Sequence, residues 1–229
     1  MVFNKYKLRH FFLNKYILSR LKKKKYFMSY DYKRKALWYR TYKVGSRTIN
    51  KKLKSNCEKG QYIYGSEMSY NPEMFKDYFK FAFVRNPRSR FLSAWKDKVL
   101  KQNYFKFSTE KHGRMKDLNS FLDWVETLDI DNCDEHLRSQ NALIDLNNVD
   151  FIGRFEYFSR DLRIVMDNLE MQDREVVFLN KGMKKELELT REQELRIYNI
   201  YKKDFQIFYP NHYEKIKDIG SRAEVITAD

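Results

Sequence analysis

Proline and glycine are scarce in this chain of 229 residues, with three of the first and seven of the second. With so few positions free to take a positive φ, each glycine becomes a position to question. No internal repeat and no low-complexity linker breaks the sequence. The two cysteines, Cys57 and Cys133, are far apart and lie in no metal-type spacing. A reduced compartment is the simpler reading, and one disulfide in a secreted form stays open beside it. Long apolar runs are also missing: nothing approaches the ~20 residues of a membrane span. Phe11-Phe12-Leu13 and Tyr16-Ile17-Leu18 are interrupted by Asn14-Lys15, so no signal-peptide core forms.

What the chain does have is bulk and positive charge. Apolar residues make up 42%, with 18 Phe, 17 Tyr and 3 Trp, which predicts a packed globular fold rather than disorder. The length suits one domain. Lys and Arg number 46 against 31 Asp and Glu, a net charge of +15. Such an excess concentrates anions near the protein: nucleic acid, an anionic polysaccharide, a nucleotide cofactor or an acidic membrane surface. Charge alone does not choose among them. The basic run Lys22-Lys23-Lys24-Lys25 lies in residues 1–34, read as a basic aromatic extension that is either a solvated helix or a contact with anionic lipid or polyanion.

Ala36 to Tyr42 reads as an aromatic strand, followed by a tight loop over Lys43–Arg47 and a helix from Thr48 to Glu58, capped by Thr48 or Ser46. Gln61–Tyr64 is a short strand, and Phe79-Lys80-Phe81-Ala82-Phe83-Val84 is the clearest strand of the chain. Pro87 suits the first turn of a helix running to about Leu100. Leu118–Leu128 reads as helix, Val149–Arg154 as strand, and Phe158, Leu162, Val165, Met166 and Leu169 fall at helical spacing. Val176–Leu179 fits an edge strand, and Thr190-Arg191-Glu192-Gln193 is a capping box opening a last helix. Strands separated by helices predict an α/β fold with a parallel sheet flanked by helices, in one domain over 35–210 with a tail at 211–229.

Two strand–loop–helix segments carry chemistry. In Lys43-Val44-Gly45-Ser46-Arg47-Thr48-Ile49 a loop meets a helix N-terminus, where unpaired N–H groups and the dipole favour an anion. Gly45 allows close main-chain approach, Lys43 adds a point charge, and Ser46 and Thr48 add hydroxyls, together a P-loop-like phosphate cradle. It lacks the Gly-x4-Gly-Lys-Ser/Thr pattern, and a bare strand-to-helix turn with no ligand is the plain alternative. In the second segment Arg85 follows a buried strand, where ligands of open α/β sheets bind, and Ser93 falls eight residues later. An arginine fork and a hydroxyl suit a second phosphate, whereas the plain reading makes Arg85, Arg88 and Arg90 surface charges. The pair of segments suggests a ligand with two separated phosphate-type groups.

These residues resemble the carbohydrate sulfotransferase family, the Golgi-type enzymes and their soluble microbial or viral relatives. The resemblance covers about Leu37 to Tyr209. It implies that Lys43–Ile49 holds the 5′-phosphosulfate of 3′-phosphoadenosine 5′-phosphosulfate (PAPS), with Arg47 standing where a small or hydroxyl residue is common. It implies that Arg85-Asn86-Pro87-Arg88-Ser89-Arg90-Phe91-Leu92-Ser93-Ala94-Trp95, which matches every fixed position of the family's second motif, holds the 3′-phosphate through Arg85, Arg90 and Ser93. Asp134-Glu135-His136-Leu137-Arg138-Ser139-Gln140 resembles a His-x-x-x-Gln segment, and Asp150–Glu156 with Asp161 resembles a further strand and helix. Within this frame His136 is the candidate general base, Glu135 the fallback and Lys43 a catalytic cation; Arg138 and Gln140 are candidates to hold acceptor or cofactor oxygens. A core or helix-cap histidine is the bland alternative for His136.

The expected function is sulfuryl transfer from PAPS to a carbohydrate hydroxyl, without a metal. The acceptor is a saccharide or polysaccharide, anionic in one version, and nucleic acid is not an expected partner. The missing membrane segment points to a soluble, cytoplasmic enzyme of bacterial or viral type rather than the Golgi arrangement. Two competing functions remain: a nucleotide kinase on a degenerate phosphate loop, for which no clear Mg²⁺ ligand set is visible, and a non-catalytic polyanion- or nucleic-acid-binding protein, for which no named module is present.

Overall fold

Strand Phe79–Val84, apolar except for Lys80, is buried on both faces, and a five-stranded sheet forms around it. The computed structural model describes residues 12–18, 20, 24–55, 57–58, 60–171, 175 and 187–212. In chain order the strands are β1 (Tyr26–Asp31), β2 (Ala36–Tyr39), β3 (Tyr62–Met68), β4 (Phe79–Val84) and β5 (Phe151–Arg154). The helices are α1 (Ser46–Ser55), α2 (Pro87–Trp95), α3 (Thr109–Met115), α4 (Leu118–Glu126), α5 (Gln140–Leu143), α6 (Phe158–Asn168), α7 (Arg191–Ile200) and α8 (Lys202–Phe208). A π-helical segment, Leu13–Leu18, precedes β1, and a second one, Lys96–Leu100, prolongs α2 to the residue where the sequence places the helix end.

The sheet order is β3-β1-β2-β4-β5. The fold class is α/β, as expected, but the sheet is mixed rather than parallel. β2 and β4 are parallel, and β1 is antiparallel to both β2 and β3. The reason is local: β1 and β2 are joined by the four-residue turn 32–35, with Lys35 at φ 49°, and so short a link permits only an antiparallel pair. Residues Tyr26–Asp31, read from sequence as part of a basic extension, are thus an interior strand. Asp31 closes the turn, accepting from the N–H groups of Lys33 and Arg34 at 2.9 and 3.0 Å.

The chain divides into two compact units, Met1–Phe83 with Leu143–Leu179 and Val84–Ala142 with Asn180–Asp229. The first holds the sheet. One face carries Trp38, Phe81 and Phe83, covered by Ile49 and Leu53 of α1 and by Phe158, Leu162, Val165 and Met166 of α6. The rings of Trp38 and Phe81 stack at 6.4 Å, and Phe83 meets Phe158 at 5.4 Å. The other face is also aromatic: Tyr26, Tyr39 and Tyr70 meet edge to face with centroids 5.7–6.0 Å apart. With apolar residues on both faces, a strand such as β4 or β1 shows no alternation in sequence.

The second unit is helical. Phe91 of α2 packs on Phe121 of α4 and on Tyr201, just before α8, at 5.6 and 6.2 Å. Trp95 donates its indole N–H to the Met115 carbonyl at 3.0 Å. The Thr190–Gln193 capping box opens α7 as the sequence predicts. The expected strand Val176–Leu179 lies outside the described residues, as do Lys22 and Lys23 and most of the tail. Among the described residues no helix is long and apolar enough to cross a membrane.

Candidate functional site

In the first unit the candidate residues lie in the loop after β2. Lys43 and Gly45 both have positive φ, 67° and 82°. The lysine is the notable one, because a side-chain-bearing residue in the left-handed region costs free energy that the surroundings must offset. The surroundings do so. Ser46 donates its hydroxyl to the Thr41 carbonyl at 2.7 Å, and Thr41 donates to the Phe83 carbonyl at the end of β4. Gly45 accepts from the N–H groups of Thr48 and Ile49 at 2.9 and 3.2 Å, which starts α1. A Cβ built on Gly45 would lie 2.6 Å from Cε2 of Phe158. The glycine is therefore required by close packing as well as by φ.

The seven residues read as a cradle divide by direction. Val44 and Ile49 are wholly buried in the core, and Thr48 is nearly so. Any part Val44 and Ile49 play toward a ligand is a main-chain one. Lys43, Gly45 and Ser46 are half-buried at the loop, and Arg47 is exposed. The opening turn of a ten-residue helix supplies main-chain donors and the positive end of its dipole.

In the second unit the candidate residues begin in the segment after β4. Asn86 caps α2, its side chain accepting from the N–H groups of Arg88 and Ser89, with Pro87 in the first turn. Arg85 immediately precedes that cap. Its N–H donates to Gln140 Oε1 at 2.8 Å, and Gln140 Nε2 donates to the Arg85 carbonyl at 2.9 Å. Its Nε donates to Ser89 Oγ at 3.0 Å. Ser93 lies two turns further and is half-buried. Arg88 reaches away, pairing with Glu194 at 3.1 Å and donating to the Leu187 carbonyl at 3.1 Å, so it ties α2 to α7. Arg90 is 1% exposed and donates to the Glu135 carbonyl at 3.3 Å. Burial pushes its guanidinium below the usual arginine range, opposed by Tyr201, Asp204 and Cys133. Its place is in the interior, holding the segment that carries Glu135 and His136, rather than on a surface.

That segment is built around Asp134. Its carboxylate accepts from the His136 N–H and from His136 Nδ1, both at 3.0 Å. An Nδ1–H donated to a carboxylate leaves the neutral ring's lone pair on Nε2. The ring is 11% exposed and meets Tyr104 edge to face at 4.9 Å, while Lys98 Nζ sits 4.1 Å from the Tyr104 ring centre. Burial raises the Asp134 carboxyl, but the His136 hydrogen bonds and Tyr104 outweigh it and hold the group below the usual carboxylate range. Tyr104 is pushed up to about 12, by burial first and then by Asp134 and Glu135. Glu135 Oε1 is 3.9 Å from His136 Nδ1. Among the described residues, Asp134, Glu135 and His136 form a group whose ligand atoms lie within 4.8 Å of one another, close enough to hold a metal ion. The Asp134–His136 hydrogen bonds already account for that closeness.

Structure thus joins two stretches that sequence reads separately: 85–93 and 134–140 meet through the Arg85–Gln140 pair and the Arg90–Glu135 bond. Ser89, Tyr104 and Asp204 belong to this neighbourhood and were not among the expected site residues. Ser89 sits inside the motif but at a variable position, Tyr104 lies 32 residues before His136 outside any motif, and Asp204 falls 68 after it in Tyr198-x-x-Tyr201-x-x-Asp204-Phe205, a stretch that resembles the family's closing helix without marking a site role. Arg154 is exposed, its N–H taken by the buried Asp161 at 2.7 Å, and Glu156 is exposed beside it.

A family model described as "Sulfotransferase family" matches residues 13–210 of the chain. No curated protein and no solved structure gives a match.

Proposed function

The chain belongs to the sulfotransferase family, and on that premise we propose that it transfers a sulfuryl group from PAPS to a carbohydrate hydroxyl. The observation that carries the reading is the setting of Arg85. This arginine follows a buried strand, precedes a capped helix and has both its peptide and its Nε in defined hydrogen bonds. A guanidinium fixed in this way suits a phosphate better than a solvated surface charge does. Strands β2 and β4 are adjacent and parallel, and each is followed by a loop that opens a helix.

In this reading Lys43, the main chain of Val44–Arg47 and the N-terminus of α1 hold the 5′-phosphosulfate, with Ser46 and Thr48 shaping the turn. Arg85 and Ser93 hold the 3′-phosphate, and Arg90 supports the Glu135–His136 segment from within. Bound in that way, PAPS supplies the sulfuryl group, whose bond to the 5′-phosphate oxygen gives way to one with the acceptor oxygen. Lys43 and the α1 dipole offset the charge that grows on the phosphate side. His136 takes the hydroxyl proton on Nε2, with Asp134 orienting the ring and stabilising the imidazolium; Glu135 is the alternative base. None of these roles requires a metal ion. The net charge of +15 favours a polyhydroxylated or anionic saccharide as acceptor.

The test is the affinity of Arg85→Ala for adenosine 3′,5′-bisphosphate. Calorimetry is expected to show a loss of about 2–4 kcal/mol, the range for leaving a buried charged partner unpaired. An unchanged affinity overturns the assignment of the 3′-phosphate to Arg85.

A further inference from the structure

Arg85 is gripped by groups that the chemistry of transfer does not itself call for. Gln140 closes a two-bond ring with the Arg85 peptide, accepting its N–H at 2.8 Å and donating to its carbonyl at 2.9 Å. Gln140 is wholly buried, so neither bond has water as a substitute. Gln140 is in turn fixed by Asp204 of α8, also wholly buried. The Asp204 carboxylate accepts from the Gln140 N–H at 2.7 Å, the Asn141 N–H at 2.8 Å and the Asn141 side-chain amide at 2.8 Å, with Gln140 Nε2 at 3.4 Å. Several donors converging on one buried carboxylate make a stiff anchor. Tyr201, three residues earlier, ties the same helix region to the Leu137 carbonyl at 2.8 Å. On the side-chain end, Ser89 Oγ accepts from Arg85 Nε at 3.0 Å and donates to the Asn86 carbonyl at 3.2 Å, which sets the plane of the guanidinium.

We infer that Gln140, locked by Asp204, and Ser89 are positioning residues that hold Arg85 ready for the 3′-phosphate. Gln140 fixes the arginine's main chain and Ser89 its fork. An arginine ordered in advance loses less freedom when it meets a phosphate, and the gain goes to that phosphate alone. The inference rests on the reading of Arg85 as the 3′-phosphate anchor. It makes Gln140 a support of the nucleotide site instead of a direct holder of acceptor or cofactor oxygens.

A purely structural role would weaken every ligand alike, so the readout is a ratio: the dissociation constant for adenosine 5′-monophosphate over that for adenosine 3′,5′-bisphosphate. The full chain carries either Gln140→Met, which keeps length and removes both hydrogen bonds, or Ser89→Ala. The ratio is expected to fall about tenfold in the first and about threefold in the second, the scale of one or two hydrogen bonds. Affinity for the monophosphate stays near wild type in both. On an Arg85→Ala background Gln140→Met is expected to change the ratio no further. A wild-type ratio in folded Gln140→Met overturns the inference. If Gln140→Met does not fold, Ser89→Ala carries the test, and a wild-type ratio there overturns it. Arg85→Ala separates the two failures. If it keeps the wild-type ratio, the phosphate reading itself falls; if it collapses the ratio while the folded positioning variants retain it, only the positioning inference falls.

Discussion

At the scale of single residues, the loop after β2 is where the chain spends free energy on a special conformation. Gly45 answers two demands at once, a φ of 82° and the Phe158 ring 2.6 Å from where a Cβ would stand. Gly45→Ala is therefore expected to lower stability by about 1–3 kcal/mol and to displace the loop, weakening bisphosphate binding. Urea unfolding checks this, and an unchanged midpoint would contradict it. The glycine itself was legible in sequence, because only seven exist; its Phe158 contact was not, since 113 residues separate the two.

His136 is the other residue on which much depends. It is half-buried among Tyr104, Asp134 and Glu135, a setting that suits the proposed base and equally a packing residue. His136→Ala is expected to stay folded, to bind bisphosphate normally and to lose about 10²–10⁴-fold in kcat. Melting temperature, bisphosphate affinity and kcat on one sample decide the matter: activity lost only in step with folding would make it a packing histidine. Asp134 adds a pH signature. Its folded carboxyl lies below the ordinary value near 4, so its bonds stabilise the fold above that pH and fade as acid protonates it. Asp134→Asn is expected to be less stable than wild type at pH 7, with the gap closing below about pH 4. A gap that stays constant through that range would mean the carboxylate charge is not what Asp134 contributes.

At the scale of elements, β4 and α2 form one device, a buried strand that delivers Arg85 to a helix start capped by Asn86. Sequence shows this device clearly, because an apolar run, Arg-Asn-Pro and a helical period fall in succession. Asn86→Ala removes bonds to the Arg88 and Ser89 N–H groups and is expected to cost about 0.5–2 kcal/mol. Since Ser89 also bonds Arg85, bisphosphate affinity is expected to drop in the same variant. A variant that melts early yet binds normally would show that the cap serves only the helix. Strand β1 is the contrast. Five of its six residues are buried, which erases alternation, and the lysine run just before it pulls a reading toward a solvated extension. The parallel sheet was overdrawn for the same reason: without β1 the short turn 32–35 has no strands to join, and the antiparallel half of the sheet vanishes. The capping box of α7 and the spacing of α6 were readable because each is local. The Gln140–Asp204 and Arg90–Glu135 bonds were not, because they join residues 64 and 45 positions apart.

At the scale of the whole molecule, the chain is a member of the sulfotransferase family, matched across residues 13–210, with a net charge of +15 that favours anionic ligands. The proposed donor nucleotide carries negative charge, as would an anionic saccharide acceptor, so long-range attraction would serve each. The same charge would attract ATP or a nucleic acid, so the distinction lies in which ligand the folded chain binds. Thermal unfolding of the full chain with adenosine 3′,5′-bisphosphate, with ATP and Mg²⁺, and with a single-stranded oligonucleotide tests the central claim most directly. A ligand that binds only the folded state raises stability with its concentration, by about 2.7 kcal/mol at a hundredfold excess over its Kd. The bisphosphate is expected to give a saturable upward shift that exceeds both others and is lost in Arg85→Ala. A chain that ignores the bisphosphate and is stabilised by ATP–Mg²⁺ or by the oligonucleotide would contradict it.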